Sequence, residues 1–163
     1  MKNFKLNTLL QTFSLLKIPL LGFMQPRVIE LSADRSIVRV KLGYITRNHL
    51  GSMYFGALAM GAELSIGVKV FEKIQVHKAP VSFIFKDFDC RFHRRAQMDI
   101  DFCFLDIQKV DELVEKAIQS GERVEGRFEG FALEKGKDPA QASQEEKIMT
   151  YGLTLSVKKL LES

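Results

Sequence analysis

The stretch that most constrains the fold runs from residue 48 to residue 63, NHLGSMYFGALAMGAE, where a polar loop and a turn lead into a helix built largely of small residues. Ser52 is the expected N-cap of that helix, because a serine hydroxyl can accept a hydrogen bond from a first-turn amide. From Tyr54 to about Lys73, Gly56, Ala57, Ala59, Gly61, Ala62, Ser65 and Gly67 leave little bulk on several sides. Glycine in a helix interior costs up to ~1 kcal/mol relative to alanine, so such a helix needs support from outside itself. A sheet wrapped closely around a thin helix supplies it. The first turn leaves backbone N–H groups without partners. With the positive end of the helix dipole, they favour a carbonyl oxygen acquiring negative charge, or a phosphate. Glu63 follows about two and a half turns in, an acid in an otherwise small and apolar run.

Size and charge narrow the classes. At 163 residues and 46% hydrophobic content, residues 1–163 are expected to form one domain with a genuine core. A net charge of +4 suits an anionic ligand but falls short of the dense basic face of a nucleic-acid binder. Cys90 and Cys103 fall in predicted strands, and no second Cys or His lies at metal-ligand spacing. Both thiols are therefore expected reduced and buried, with no metal and no bound cofactor. No apolar run approaches the ~18 residues needed to span a bilayer, so a soluble, cytoplasmic protein is expected.

Residues 3–18 place Phe4, Leu6, Leu9, Leu10, Phe13 and Leu16 at mostly helical spacing, and Pro19 ends the pattern. This predicts an amphipathic helix within residues 1–20, either packed on the domain at the mouth of a pocket or lying on a membrane surface. It lacks the cleavage site and unbroken apolar core of a secretion signal. Residues 28–31 and 36–42 flank a turn and predict a hairpin. In the strand 81–92, Phe83 and Phe85 take odd positions while Phe88, Cys90 and Phe92 take even ones. A one-residue slip reverses every later side chain, so a bulge or bend is expected at Lys86-Asp87. A strand over 98–104 alternates apolar residues with Asp99, Asp101 and Cys103; a short helix over 110–119 ends at Gly121; strands follow at 123–133 and 149–157. Residues 136–147 have turn composition and predict an exposed, mobile hairpin tip. The element order is that of an α+β chain in which an antiparallel sheet curls about one long helix.

Gly51 follows Asn48 by three positions, Gly56 by eight and Glu63 by fifteen. This spacing resembles the signature of the hotdog-fold thioesterases of the phenylacetate-degradation type, and more closely an uncharacterised thioesterase-like branch of that superfamily. The better-known members have an asparagine, a glycine three positions on, His-Gly-Gly at six to eight and an acid at fifteen. Here Tyr54 stands for the histidine, Phe55 for the first glycine, and Glu63 for the commoner aspartate. The resemblance implies a hotdog fold, with a curved antiparallel sheet around a long central helix, and a homodimer, or a tetramer built from it, joined sheet edge to sheet edge. It implies an acyl-CoA or acyl-carrier thioesterase.

Thioester hydrolysis needs donors for the oxyanion and a base or nucleophile. By the resemblance, the Asn48 side-chain amide and the Phe55 backbone N–H would hold the carbonyl, with Tyr54 and Gly56 contacting substrate. Glu63, from the facing subunit, would be base or nucleophile, its pKa raised by an apolar setting. Each residue also has a plainer reading. Glu63 could pair with a cation across an interface; Asn48 could serve its turn; Tyr54 could donate a hydrogen bond or block the pocket. His49 beside Asn48 reads as an exposed loop residue. Arg91, His93, Arg94 and Arg95 end the long strand as a basic cluster; Arg94 and Arg95 could hold substrate phosphates, or the cluster could be a solvated strand end. The alternative to an enzyme is a non-catalytic hotdog module that binds an acyl ligand or a protein partner.

Overall fold

The computed structural model describes residues 2–160. Helices α1 (Lys2–Lys17) and α2 (Pro19–Met24) precede strands β1 (Arg27–Leu31) and β2 (Ser36–Val40), and the long helix α3 spans Phe55–Gln75. Strands β3 (Val81–Phe92) and β4 (Ile100–Phe104), helix α4 (Ile107–Ser120), and strands β5 (Val124–Glu134) and β6 (Met149–Lys159) complete it. The six strands form one sheet in the order β1-β2-β4-β5-β6-β3, with antiparallel pairing throughout. The fold is α+β, a hotdog, with the sheet curled about α3.

The helix is held as its composition requires. Six large apolar side chains of α3 are buried: Leu58, Leu64, Ile66, Val68, Val70 and Phe71. At about 1.5–3 kcal/mol each, their burial outweighs three interior glycines at ~1 kcal/mol. The sheet touches α3 from several strands. Gly61 faces the fully buried Phe102 ring of β4, and a β-carbon at Gly67 would lie 3.1 Å from Phe85 of β3. Ser65 is a polar seam: its hydroxyl donates to the Ala62 carbonyl at 2.7 Å and lies 2.7 Å from the Tyr151 hydroxyl of β6. The Ser36 hydroxyl of β2 donates to the Ser65 carbonyl. Burial raises the pKa of Tyr151, which therefore stays a neutral phenol.

The pairing of β3 with β6 shifts register between Phe85 and Asp87, as the parity slip predicts. A second shift, between Val28 and Glu30 of β1, carries no such sequence signal. Several expectations are corrected. Pro19 ends α1 but also opens α2, where its missing N–H costs nothing. The N-terminal helix is not one-sided: Leu6 and Leu10 are buried, while Phe4, Leu9 and Leu16 are exposed. It is tied to β1 by Asn7, whose amide donates to the Val28 carbonyl at 2.9 Å and accepts from the Val28 N–H at 2.8 Å.

The acidic face of β4 is not solvated. Asp101 is buried and accepts two bonds from the Arg39 guanidinium, at 2.6 and 2.7 Å. Cys103 beside it is fully buried, and desolvation pushes its thiol up to about 12. The cover comes from the segment expected to be a free tip. Pro139 is buried, Ala142 packs on Ile37, Cys103 and Leu133, and a capping box between Ser143 and Glu146 closes a short 3-10 turn, Gln144–Glu146.

Gly61→Ala tests the clasp. The gain in helix propensity is about 1 kcal/mol, whereas overpacking a fixed ring costs about 1–3 kcal/mol. Phe102 cannot yield, being fully buried against Tyr151 at a ring separation of 6.3 Å. The variant is expected to unfold at lower denaturant concentration than the parent, with unchanged slope.

Candidate functional site

The loop before α3 is folded on itself. Arg47 pairs with Met53 in an isolated bridge, the Tyr54 N–H donates to the Thr46 carbonyl at 2.7 Å, and the Met53 N–H donates to the Ala96 carbonyl at 2.8 Å. The Thr46 hydroxyl, donating to the Lys41 carbonyl at 2.6 Å, closes the base. Gly51 sits at φ +77°, a conformation that favours glycine.

Asn48 is committed to this loop. Its Oδ1 accepts from the Leu50 N–H at 2.9 Å and the Ser52 N–H at 3.2 Å, and its Nδ2 donates to the Ser52 hydroxyl at 3.1 Å. An amide carries two N–H donors, so one remains beyond the Ser52 bond. Ser52 is thereby a partner of Asn48 and not the helix cap. The N-cap is Tyr54, in extended conformation, with no side-chain hydrogen bond closing the first turn. Among the described residues the Phe55 N–H meets no acceptor. The amide end of α3 is open.

Aromatic rings surround that opening. Tyr54 folds over the first turn, where a β-carbon at Gly56 would come 2.6 Å from its ring, so Gly56 lets the ring lie close above it. Phe55 packs edge-on against Phe92 of β3 at 5.8 Å. Both Tyr54 and Phe55 are 55% exposed. His49 is exposed as well.

Glu63 lies eight residues beyond Phe55, about 12 Å along the helix axis. The two cannot serve one carbonyl from the same chain. Glu63 sits on the rim of a small cleft of about 50 Å³ lined by Leu10, Phe13 and Leu21 on one side and by Leu64, Phe83 and Phe85 on the other. Desolvation raises its carboxyl above the ordinary carboxylate range. The side chain is nonetheless exposed. A rim position accounts for both: apolar groups on one flank set the direction of the shift, and solvent on the other limits its size.

The basic cluster divides. Arg94 is bound, pairing with Glu134 at 3.3 Å, and His93 lies 3.0 Å from the Thr150 hydroxyl. Arg91 and Arg95 are exposed and make no ion pair among the described residues. The bond from Met53 to Ala96 sets Arg95 next to the loop that carries Asn48.

The wall that α1 and α2 give to the Glu63 cleft was not anticipated residue by residue. Phe13 and Leu21 look like generic core in the sequence, and their partners are distant in the chain. No cluster of three or more metal-ligating side chains occurs among the described residues.

The family described as a domain of unknown function, DUF4442, matches residues 7–124. The chain belongs to that family. No curated protein shows significant sequence similarity. Solved structures share the fold across nearly the whole chain. A protein of unknown function from Chlorobaculum tepidum superposes with a TM-score of 0.80 at 12% identity, covering 96% of each chain. A Pseudomonas aeruginosa protein described as a probable thioesterase has a TM-score of 0.69 at 24% identity, covering 93% of this chain and 95% of its own. A thioesterase from Haemophilus influenzae has a TM-score of 0.61 at 11% identity, covering 93% and 90%.

Glu63→Gln reports on the rim position. A carboxyl whose folded pKa is raised is destabilised when charged, so native stability from this group is full below its unfolded value and falls as pH rises through the raised one. The variant is expected to melt above the parent at pH 8 and to converge with it towards pH 4 in parallel thermal melts.

Proposed function

We propose that the protein hydrolyses a thioester of an acyl-CoA or acyl carrier, working as a homodimer. The observation that carries this reading is the open amide end of α3 combined with a carboxylate on the same helix, set at an apolar cleft and biased towards protonation. Reaction needs the attacking and accepting groups within about 3–3.5 Å of the carbonyl carbon and its oxygen. The separation of about 12 Å within one helix favours a second chain as the source of the carboxylate. Strand β3 is suited to join the copies: it is a sheet edge of 12 residues to which no further strand pairs among the described residues. The described neighbours from Pseudomonas aeruginosa and Haemophilus influenzae are in keeping with this chemistry.

In the proposed reaction the thioester carbonyl accepts a hydrogen bond from the Phe55 N–H, assisted by the α3 dipole and by the remaining N–H of Asn48. Glu63 of the second copy, ionised, takes a proton from water as its oxygen attacks the carbonyl carbon. The tetrahedral intermediate collapses by breaking the C–S bond, and the departing thiolate takes up the proton held by Glu63, which returns the base to its ionised form. Tyr54, Gly56 and Phe92 would line the acyl approach. Arg95, exposed and unpaired, would meet substrate phosphate, with Arg94 held back by Glu134. The competing reading, an acyl-binding module without turnover, draws on the tie between Asn48 and Ser52 and on the Tyr54 ring beside the amide end.

Phe55→Pro removes the N–H at the first helical position, where proline is well tolerated, while Phe55→Ala keeps it and serves as control. With an acyl-CoA series, Phe55→Pro is expected to lower kcat by about 10²–10³ relative to Phe55→Ala, and Glu63→Ala by about 10²–10⁴ relative to the parent. Tight acyl-CoA binding with no turnover by the parent would select the binding module. Separately, Arg95→Ala is expected to raise KM for acyl-CoA several-fold at low salt and little at 0.5 M salt, with kcat unchanged, and to exceed the effect of Arg94→Ala.

A further inference from the structure

The outermost layer of the molecule is unusual for a face exposed to water. The six successive residues 15–20 at the junction of α1 and α2 are all exposed. Large apolar side chains dominate it: Phe4 is 77% exposed, Leu16 74%, Leu20 68% and Phe23 60%, with Leu15 and Ile18 between them. The hairpin is nevertheless firmly seated. The Gln11 amide donates to the Gly22 carbonyl at 2.9 Å, Phe13 stacks edge-on with Phe71 of α3 at 5.2 Å, and Asn7 is bonded to β1. Its inner apolar face is already used, so the outer one is left for something else. A helix apolar on both sides is normally covered on both.

Charge says what covers it. Residues 1–29 contain Lys2, Lys5, Lys17 and Arg27 and no Asp or Glu. Lys5 shares the outer stripe with Leu9 and Leu16, four and eleven positions on, and Lys5, Lys17 and Arg27 are exposed. Of the acids on packed elements, Glu30 pairs with Arg35 at 2.9 Å, and Glu63 lines the same cleft as Ile18. A second copy of this chain is a poor occupant, because a two-fold contact would set the cations of one hairpin against those of the other, and residues 1–29 supply no acid to pair with them. No helix among the described residues is long and apolar enough to cross a membrane, which leaves attachment to its surface.

We propose that the outer face of the α1–α2 hairpin docks on an anionic phospholipid bilayer, with Leu16, Leu20 and Phe23 entering the headgroup region and Lys5 and Lys17 meeting lipid phosphates. Apolar burial and cation attraction act together in such interfacial helices. This surface is distinct from the open end of α3 and does not depend on thioester chemistry.

The test is co-sedimentation of the full chain with phosphatidylcholine vesicles containing or lacking 30% phosphatidylglycerol, with light scattering for oligomeric state. Binding is expected to the anionic vesicles, weaker at 0.5 M salt, and far less to the zwitterionic ones. Each cation at such a surface contributes roughly fivefold, so Lys5→Glu with Lys17→Glu is expected to lower partitioning by at least about 25-fold. Leu16→Asp with Leu20→Asp is expected to abolish it while the melting curve is kept. If that pair unfolds the chain, Leu16→Ser with Leu20→Ser replaces it. No binding to anionic vesicles, or unchanged binding by the leucine variants, overturns the proposal. So does an oligomer that dissociates in the leucine variants while the parent ignores vesicles, which would make this face a contact between copies.

Discussion

Everything in this molecule depends on how closely the sheet approaches α3. The helix has too little side-chain bulk to stand alone, and that thinness is what lets Phe102 press against Gly61 and Phe85 against Gly67. Where contact is closest it is also polar. The Ser65 and Tyr151 hydroxyls and the Ser36 bond to the Ser65 carbonyl join β2, α3 and β6 across the core. Buried hydroxyls satisfied in this way fix the rotation of the helix, which an apolar contact alone leaves freer. The orientation of both the open amide end and Glu63 follows from that fixed rotation.

The rest of the polar interior is arranged for position. Arg39 and Asp101 form a two-point pair on the far side of the sheet, and α4 is pinned to α3 by Asp111, which lies 3.0 Å from Lys73 and 3.6 Å from Lys69. Partly buried pairs of this kind add less to stability than their geometry suggests, because desolvation offsets much of the attraction. Their contribution here is to keep strands and helices in one register while the mouth of α3 stays open to solvent.

Much of this was legible in the chain. The glycines and alanines of α3, the alternation of β6 and the parity slip of β3 are local signals, and each produced the element it announced. The misses were of another kind. The sequence around Asn48 predicts a helix opened by Ser52, but Asn48 and Ser52 bond to each other, a choice between two local partners that spacing does not decide. The 136–147 segment looks like a free tip because its residues are polar; Ala142 packs on Leu133 nearby and on Ile37 and Cys103, which lie far away in sequence. Likewise the alternation in β4 gives an acidic face without its partner, which Arg39 on the neighbouring strand supplies. At the candidate site, the spacing from Asn48 to Glu63 points to α3, while the aromatic surroundings come from β3 and the N-terminal hairpin, which are distant in the chain.

The bulge at Lys86 has a consequence for how these surroundings are divided. Ahead of it, Phe83 and Phe85 face the small cleft beside Glu63; beyond it, Phe92 stacks on Phe55 at the head of α3. Without the extra residue, one half of the strand would turn its phenylalanines outward and strip one region bare. A single inserted position thus lets one strand furnish two separate apolar linings on the same side of the sheet, and lets each change its size or shape without disturbing the other.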